Sequence, residues 1–409
     1  MTLPLKGLRV LELARILAGP WVGQLLADFG AEVVKVERPG QGDDTRQWGP
    51  PFLRDAQGRE TGESAYFLSA NRGKRSVAID FSRSQGAELV CALARHCDVL
   101  VENFKVGGLA RLGLDFESLH AINPRLIYCS ITGFGQDGPR AGQAGYDAAI
   151  QAMGGMMSIT GLPDDTPGGG PQKVGVAVAD LLAGLYAANA IQAALIQRQQ
   201  TGLGQHLDIS LFDCQVSALA NQAANYLVGG QVPSRQGSAH PNIVPYQAFA
   251  AADGHLMLAV GNDRQFARLA ECLGSPDWAN DPRYARNADR VANRQRLVPL
   301  VERALARRPV AEWLADFEQA GIPASAINDI QAVFDDPQAR HRQLKRHFNH
   351  PLNAALPGVA NPVRFSGKSA TSELAPPLLG ADSDAVLADW LAFSPQRIAE
   401  LRALGVVGA

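Results

Sequence analysis

The sequence LRVLEL, residues 8–13, decides the fold together with the two segments after it, WVGQLLADFG (Trp21–Gly30) and AEVVKVE (Ala31–Glu37). The first and third segments are short apolar runs that predict strands. The middle segment has apolar residues at helical spacing and ends on Gly30 in a C-cap position. Ala18-Gly19-Pro20 is read as a break between the first strand and the helix. A strand, a helix and a second strand in this order predict a βαβ unit.

The same alternation continues outward from this unit. Further strands are predicted at SVAIDF (76–81), CDVLVEN (97–103), LIYCSITGF (126–134) and HLDISLFD (206–213). Helical segments such as SQGAELVCALARH lie between them, and an Ala/Leu-rich helix is predicted over 176–200. Strands that alternate with helices predict an α/β fold with a Rossmann-like, doubly wound parallel sheet.

A change in composition predicts a second domain. Residues 222–237 are rich in Asn, Gln and Gly, and FAAADGHLMLAV (249–260) predicts a hairpin with Asp253-Gly254 at its turn. Amphipathic helices follow to about residue 334, and the tail ends in two more. We therefore expect a large α/β domain over 1–221, completed by 335–409, and a smaller α+β domain with linkers over 222–334.

Composition limits the classes of partner. The chain has 409 residues and a net charge of −2, which does not indicate a nucleic-acid partner. Its apolar runs fall short of the roughly 20 residues of a membrane span. The N-terminus lacks the apolar region and cleavage site of a signal peptide. We expect neither a nucleic acid nor a membrane as partner.

The cysteines indicate a reducing compartment. They are scattered, odd in number and without CxxC spacing: Cys91, Cys97, Cys129, Cys214 and Cys272. This pattern supports neither a disulfide framework nor a zinc site. HExxH spacing is also absent, so no metal is expected. The expected location is the cytoplasm or an organelle matrix.

The βαβ start raises the possibility of a nucleotide-like ligand. No GxGxxG follows the first strand, which disfavours an NAD-binding oxidoreductase. Arg38 follows the second strand and is either a ligand for a phosphate, such as the 3′-phosphate of coenzyme A, or a solvated residue. Phe104 follows another strand and either packs on an adenine or belongs to the core.

Asp180 is the most unusual polar residue, since it lies in the apolar stretch VGVAVADLLAGLYAA. A carboxylate there is costly unless it is hydrogen-bonded or neutralised. It is either a silent helix cap or a nucleophile that the helix N-terminus keeps ionised, whereas desolvation acts in the opposite sense. His240, in GSAHPNIVPYQAF with Asn242 and Tyr246, either donates to an acyl oxygen or stabilises its loop.

The ordered motifs resemble those of the class III coenzyme A transferases, the family of formyl-CoA transferase and carnitine CoA-transferase. The matching motifs run almost end to end, among them VVKVERPGQGDDTR, NRGKRSVAID, DVLVENF, NPRLIYCSITGFGQDGP, KVGVAVADLLAGLYA, TGLGQ and APPLLG. GDDTRQWGPPF and AHPNIVPYQAF are most similar to the members that act on succinate, hydroxymethylglutarate and glutarate. The resemblance also implies a ring-shaped chain that interlocks with a second copy in a homodimer.

Matched by position, the resemblance implies that Asp180 is the nucleophile and that acyl-CoA is the substrate. The implied CoA contacts are Ile16, Leu17, Ala18, Arg38, Ile79 to Ser82, Asn103, Phe104, Lys105, Arg111 and the stretch Ala144, Gly145, Tyr146 and Asp147. Leu17 replaces the glutamine of the formyl enzyme, and its glycine-rich loop has no equivalent here. Formate and oxalate are therefore not the expected acids.

The resemblance implies transfer of CoA, most readily from succinyl-CoA, to a dicarboxylic acid such as glutarate, hydroxymethylglutarate, itaconate or citramalate. The far carboxylate of such an acid requires a cation, for which Arg46, Arg72 and Lys173 are candidates. Arg46 has an alternative role as a partner of Asp43 or Asp44. The rival activity on the same fold is α-methylacyl-CoA racemisation, whose GHD motif reads Gly145-Tyr146-Asp147 here. A tyrosine replaces histidine poorly as an acid–base group.

Overall fold

The computed structural model describes residues 3–408, which form two compact units. The larger unit contains residues 3–156, 174–224 and 337–408, and the smaller contains 157–173 and 225–336. The sequence places 157–173 in the large domain, but this segment belongs to the smaller unit. Within that unit the Gly237 N–H donates to the carbonyl of Gly161, and Arg235 donates to the carbonyl of Ser158.

The secondary structure alternates as the sequence predicts, with two local corrections. The strands are β1 (Arg9–Glu12), β2 (Glu32–Glu37), β3 (Phe52–Arg54), β4 (Glu60–Ser64), β5 (Lys74–Ala78), β6 (Val99–Glu102), β7 (Ile127–Thr132), β8 (His206–Ser210), β9 (Tyr246–Ala250), β10 (His255–Ala259), β11 (Ala324–Ala326), β12 (Lys345–His350), β13 (Asn353–Val359), β14 (Arg364–Phe365) and β15 (Lys368–Ser369). The helices are α1 (Ala18–Asp28), α2 (Ala65–Ala70), α3 (Ser84–Ala94), α4 (Phe116–Ile122), α5 (Asp147–Met153), α6 (Met156–Ile159), α7 (Val178–Thr201), α8 (Leu211–Ser217), α9 (Ala220–Gly229), α10 (Asp263–Cys272), α11 (Asn287–Ala292), α12 (Arg294–Leu305), α13 (Val310–Ala320), α14 (Ile330–Asp335), α15 (Pro337–His341), α16 (Ser383–Leu391) and α17 (Pro395–Ala403). Ala18-Gly19-Pro20 is the first turn of α1 and not a break, because proline and glycine are tolerated where helix N–H groups lack partners. The residues after Ser210 form α8 and do not extend the strand, because the Ser210 hydroxyl caps that helix.

The large unit is built on a six-stranded parallel sheet in the order β5-β2-β1-β6-β7-β8. The chain moves outward from β1 in one direction and then returns to place β6 on the other side of β1. In such sheets the crevice for ligands opens at the carboxyl ends of the two strands where the direction reverses. The segments that follow β1 and β6 therefore frame the ligand crevice.

Helices cover both faces of this sheet. On one face, α3, α16 and α17 contribute side chains such as Leu93, Trp390 and Leu401 to one apolar cluster. On the other face, α1, α7 and α8 contribute side chains such as Val22 and Ile191 to a second cluster. The C-terminal residues thus complete the large unit, and the predicted doubly wound α/β architecture is confirmed.

The helix α7 differs from expectation in its length and apolarity. It has 24 residues and a mean hydropathy of 1.4 in its most apolar window, which is long and apolar enough for a membrane span by length and composition. The expectation that no segment reaches that size is corrected. Nine of its residues are buried, and it packs on α1, β7 and α8 as a core helix does.

The smaller unit has its own core. Its antiparallel sheet has the order β11-β10-β9, and the predicted hairpin is present with Leu256 opposite Phe249. Helices α10 to α13 close an apolar cluster over this sheet, with Phe266 and Phe317 fully buried. Arg290 is also fully buried, because it donates to the Val244 carbonyl and pairs with Asp263.

The close packing of α1 against α7 depends on Gly184. A Cβ atom at this position would lie 3.0 Å from the Ala18 carbonyl oxygen and 3.1 Å from the Trp21 ring. A larger residue would push apart the two helices that carry Ala18 and Asp180.

Gly184→Leu is expected to destabilise the protein by about 1–3 kcal/mol, because overpacking forces backbone shifts in a close-packed interior. Thermal unfolding followed by circular dichroism measures this loss. Gln199→Leu adds the same side chain on an exposed position of the same helix and is the control. Equal losses in the two variants would contradict the close approach at Gly184.

Candidate active site

Two cavities open beside the crevice at the carboxyl ends of β1 and β6. The first, the Arg38 cavity, has a volume of about 330 Å³ and is lined by Arg38, Ile79 and Ser82, among others. The second, the Asp180 cavity, has a volume of about 420 Å³ and contains Asp180. Arg15 and Phe104 line both cavities, so the two adjoin.

Most of the predicted CoA contacts lie in these two cavities. Arg38, Ile79 and Phe104 line the first. The second is lined by the remaining predicted contacts: Ile16, Leu17, Ala18, Asn103, Lys105, Arg111, Ala144, Gly145, Tyr146 and Asp147. The fold thus brings together residues from five separate segments of the sequence, as the resemblance implies. Their contacts with CoA stay a prediction.

The Asp180 carboxylate is half-buried in the first turn of α7. No hydrogen bond or ion pair to it occurs within residues 3–408. The N-cap position of α7 is Ala177, and no side chain caps the helix from that position. Asp180 is therefore not a satisfied cap, which was the alternative that the sequence left open.

Asp147 takes the place of a cap for α7. Its Oδ1 accepts from the Ala179 N–H at 2.9 Å, and its Oδ2 accepts from Gln151 at 2.8 Å. Asp147 reaches α7 because the backbones of Gly133 and Gly145 touch, and a Cβ on Gly133 would lie 2.6 Å from the Gly145 Cα. Asp147 thus satisfies a free N–H group at the helix start and leaves Asp180 without a partner.

Burial, followed by the charge of Asp147, raises the pKa of Asp180 from 3.8 to about 7. The sequence suggests that the helix N-terminus keeps this carboxylate ionised. The structure corrects this suggestion, because the effects that raise the pKa of Asp180 dominate. Desolvation and a like charge oppose ionisation, while no hydrogen bond favours it. A carboxylate with a pKa near neutrality in a cavity is characteristic of a functional acid.

The loop between β1 and α1 has an unusual backbone. Ile16 has a φ of +72°, a left-handed conformation that a β-branched residue rarely adopts and that costs about 1–3 kcal/mol. Asn103 holds Arg15, the residue before Ile16. The Asn103 Oδ1 accepts from the Arg15 N–H at 2.9 Å, and its Nδ2 donates to the Arg15 carbonyl at 2.7 Å. Asn103 therefore has a structural role as well as a place in the cavity wall.

The two interpretations of Phe104 are not exclusive. Its ring packs edge-on against Phe81 at a centroid distance of 5.8 Å and contacts the core cluster below. It is half-buried, and it lines both cavities. Arg38, in contrast, is exposed at the rim of its cavity. Phe104 thus joins the core to the ligand crevice.

Arg46 is not a substrate residue, which corrects the sequence-based prediction. It is 5% exposed and donates to Glu37 at 2.8 Å, to Glu63 at 2.9 Å and to the Pro377 carbonyl. Its guanidinium also lies over the Phe67 ring. It pairs with neither of the aspartates that the sequence offered, because two glutamates surround it.

Arg72 is also occupied, which removes a second candidate cation. Its guanidinium forms a bidentate pair with Asp28, with distances of 3.0 and 2.6 Å, and donates to the Val359 carbonyl. Lys173 is exposed and belongs to the smaller unit. The cation for a dicarboxylate is therefore not provided by either buried arginine.

The residues His240, Asn242 and Tyr246 lie together in the smaller unit. The His240 ring stacks on Tyr246 at a centroid distance of 5.3 Å, and its Nδ1 accepts from the Asn242 N–H at 3.0 Å. This bond places the proton of the neutral ring on Nε2. The contacts stabilise the loop, and a role in acyl binding stays a prediction.

Tyr66 was missed by sequence reasoning. Burial raises its pKa to about 12, and the charges of Asp180 and Asp147 add to the effect. Its ring meets Trp48 edge-on at 5.1 Å. Tyr66 lies in the helical segment AYFLSA, which carries no motif, so only the tertiary structure relates it to Asp180.

Within residues 3–408, no three His, Cys, Asp or Glu side chains are grouped to hold a metal ion. Two acidic groups beside the crevice have basic partners. Asp43 pairs with Lys35, and Asp44 pairs with Arg15. Independence from metals stays a prediction.

The fold and the cavities define an α/β protein with a half-buried carboxylate in the ligand crevice of a parallel sheet, and comparison with known proteins identifies its family. The sequence model of CoA-transferase family III matches residues 5–383, so the chain belongs to this family. A succinate–glutarate CoA-transferase from Agrobacterium fabrum is 50% identical over 386 residues, which cover 94% of this chain and 95% of the relative. A succinyl-CoA:glutarate CoA-transferase from Mus musculus is 45% identical over 406 residues, covering 99% and 90%.

A solved structure confirms the fold. The CaiB/BaiF family protein from Brucella suis has a TM-score of 0.83 and 50% sequence identity, covering 95% of this chain and all of that chain. The family predicted from the motifs is therefore confirmed, and so is the mixed α/β fold. The protein is a family III CoA-transferase.

The raised pKa of Asp180 predicts a pH profile. If the ionised carboxylate is the reactive form, kcat/KM for acyl-CoA rises with pH through about 7 and levels off above it. Asp147→Asn removes the like charge, lowers the pKa of Asp180 and moves the rise to lower pH. Initial rates across pH 5–9 measure both curves. A rise at the same pH in this variant would contradict the coupling.

The same pKa predicts that Asp180 costs stability above neutrality. Because the folded pKa is raised from 3.8 to about 7, the native state binds the extra proton between these values. Asp180→Asn should therefore unfold at a higher temperature than wild type above pH 7. The difference should close below pH 4, where the carboxyl is neutral in both states. Thermal melts at pH 3.5, 6 and 8 test this, and a constant difference would contradict it.

Proposed function

We propose that this protein transfers CoA from succinyl-CoA to glutarate through covalent intermediates on Asp180. The observation that carries the proposal is the half-buried Asp180 carboxylate, which has no partner among residues 3–408 and lies in a cavity at the crevice of a parallel sheet. The activities for which the relatives at 45–50% identity are named support the choice of succinate and glutarate.

The first half of the reaction loads CoA onto the protein. An oxygen of Asp180 attacks the thioester carbon of succinyl-CoA, the C–S bond breaks, and CoA leaves as a thiolate. The product is a mixed anhydride of Asp180 and succinate. The thiolate then attacks the Asp180 carbonyl carbon, which releases succinate and leaves an aspartyl-CoA thioester.

The second half runs in the opposite sense with a new acid. The glutarate carboxylate attacks the aspartyl thioester and releases the thiolate, which gives a second anhydride. The thiolate attacks the glutaryl carbon, forms glutaryl-CoA and restores the Asp180 carboxylate. One thioester replaces another, so atoms and electrons balance without ATP, a redox partner or a metal.

The racemase alternative receives no support from the geometry. That reaction requires two groups free to exchange a proton at the α-carbon. Asp147 accepts bonds from Ala179 and Gln151 and serves α7 as a cap. Tyr146, in place of the racemase histidine, is 68% exposed.

An interlocked homodimer and a cytoplasmic location belong to the same proposal. Exposed apolar side chains on α7, such as Leu185 and Ile196, support an interface on the large unit. The five cysteines are all unpaired, which supports a reducing compartment. Light scattering after size exclusion measures the mass in solution, and cell fractionation tests the location.

Asp180→Ala is expected to abolish transfer, by at least about 1000-fold in kcat, because it removes the carboxylate that carries the acyl group in the proposed mechanism. CoA binding, measured by calorimetry, persists. With succinyl-CoA and hydroxylamine, the wild type should acquire a hydroxamate at Asp180, which peptide mass spectrometry detects.

Asp213→Ala is the matched control, because Asp213 also lies in the first turn of a helix but is exposed. It should keep normal turnover and show no hydroxamate. Near-normal turnover of Asp180→Ala would refute the covalent mechanism. A panel of acceptor acids with succinyl-CoA tests the choice of glutarate over hydroxymethylglutarate, itaconate and citramalate.

A further inference from the structure

Ile16 is the strained point in the wall of the Asp180 cavity. Its φ of +72° forces a β-branched side chain into the left-handed region. Such a conformation persists only where the surroundings hold it. Ile16 lies between Arg15 and Leu17, and all three residues line the cavity.

Side chains from other elements hold the backbone around Ile16. The Ile16 N–H lies 3.2 Å from both carboxylate oxygens of Asp43. The Ala14 carbonyl accepts from Lys35 Nζ at 2.8 Å. Asn103 pairs with the Arg15 peptide in both directions. Three consecutive residues are thus held by side chains of other elements, and within residues 3–408 Asp43 is the acceptor for the N–H of the strained one.

Asp43 is itself firmly held. It is 1% exposed, and it accepts from Lys35 Nζ at 2.9 Å and from the Thr45 N–H and hydroxyl at 3.0 and 2.8 Å. Burial acts to raise the pKa of Asp43, but the charge of Lys35 and the bonds from Thr45 outweigh it and lower the pKa to about 2. Asp43 is therefore an anion throughout the neutral range.

We propose that Asp43 is a positioning residue that holds Ile16 in its left-handed conformation and so keeps the Ile16–Ala18 wall in the shape that binds acyl-CoA. The inference rests on the proposed transferase function. The folded protein already holds the Ile16–Ala18 segment in the geometry that binds the ligand, so binding energy is not used to impose that geometry.

Asp43→Asn is a sharp test because Ile16 N lies equally far from both oxygens. In either orientation of the new amide, one of the two acceptors at 3.2 Å from the Ile16 nitrogen becomes an NH₂ donor, and the other becomes a neutral amide oxygen, a weaker acceptor than a carboxylate oxygen. The substitution also leaves the volume of the side chain almost unchanged. It therefore weakens the hold on Ile16 without opening a cavity.

Asp43→Asn should raise KM for succinyl-CoA and Kd for CoA on the order of tenfold, with a smaller change in kcat. Ile16→Gly supplies the rescue, because glycine adopts positive φ without strain. In the Ile16→Gly background, Asp43→Asn should change Kd by less than about twofold. Calorimetry with CoA measures Kd for the four proteins of this cycle, and initial rates give KM and kcat.

Asp28→Asn is the control for a general loss of stability. Asp28 is fully buried at the opposite end of α1 and binds Arg72 and Asn361. This variant should lower the midpoint of thermal unfolding while Kd for CoA stays at the wild-type value. It separates damage to the core from loss of the Ile16 conformation.

Two results would overturn the inference. One is a Kd of Asp43→Asn at the wild-type value. The other is an equal effect of Asp43→Asn in the Ile16 and Ile16→Gly backgrounds, which would mean that Asp43 does not act through Ile16. Calorimetry does not require turnover, so a failure of the proposed transferase activity is distinguished from a failure of this inference.

Discussion

Lys35 is fully buried beneath the ligand crevice, and it stays charged there because Glu12 and Asp43 each place a carboxylate oxygen 2.9 Å from its Nζ. Together these charges, with burial acting against them, raise the pKa of Lys35. Lys74 shares Glu12, and burial lowers its pKa to about 8. Loss of one partner in such a group costs about 3–5 kcal/mol, since it leaves a buried charge unpaired. This group joins the end of β1, the interior of β2 and the first residue of β5 to the loop that forms the crevice.

Two aspartates at the same crevice, Asp147 and Asp180, have different roles. Asp147 satisfies the start of α7, and Asp180, in the first turn of the same helix, has no partner among residues 3–408. The ionised Asp180 carboxylate destabilises the folded protein, and the same unpaired carboxylate is the group that reacts in the proposed mechanism. Active sites commonly keep such unsatisfied groups because the surrounding structure is stable enough to carry them.

The buried arginines illustrate how sequence patterns mislead about cations. Arg46 and Arg72 lie in motifs that suit anion binding, but each pairs with carboxylates at least nine residues away in the sequence. Arg46 pairs with Glu37 and Glu63, and Arg72 pairs with Asp28. From the sequence alone, an arginine that pairs with carboxylates inside the protein cannot be distinguished from one that binds a ligand.

The sequence by itself determined the alternation of strands and helices, the parallel sheet and the family, because these depend on local periodicity and on ordered motifs. The tertiary structure alone decided three matters. It placed residues 157–173 in the smaller unit, it paired Arg46 with Glu37 and Glu63, and it made Asp147 the cap of α7. These depend on contacts between segments far apart in the chain, which hydrophobic periodicity does not encode. For the same reason the sequence marked Asp180 as unusual, while only the fold showed that its carboxylate has no partner within the described residues.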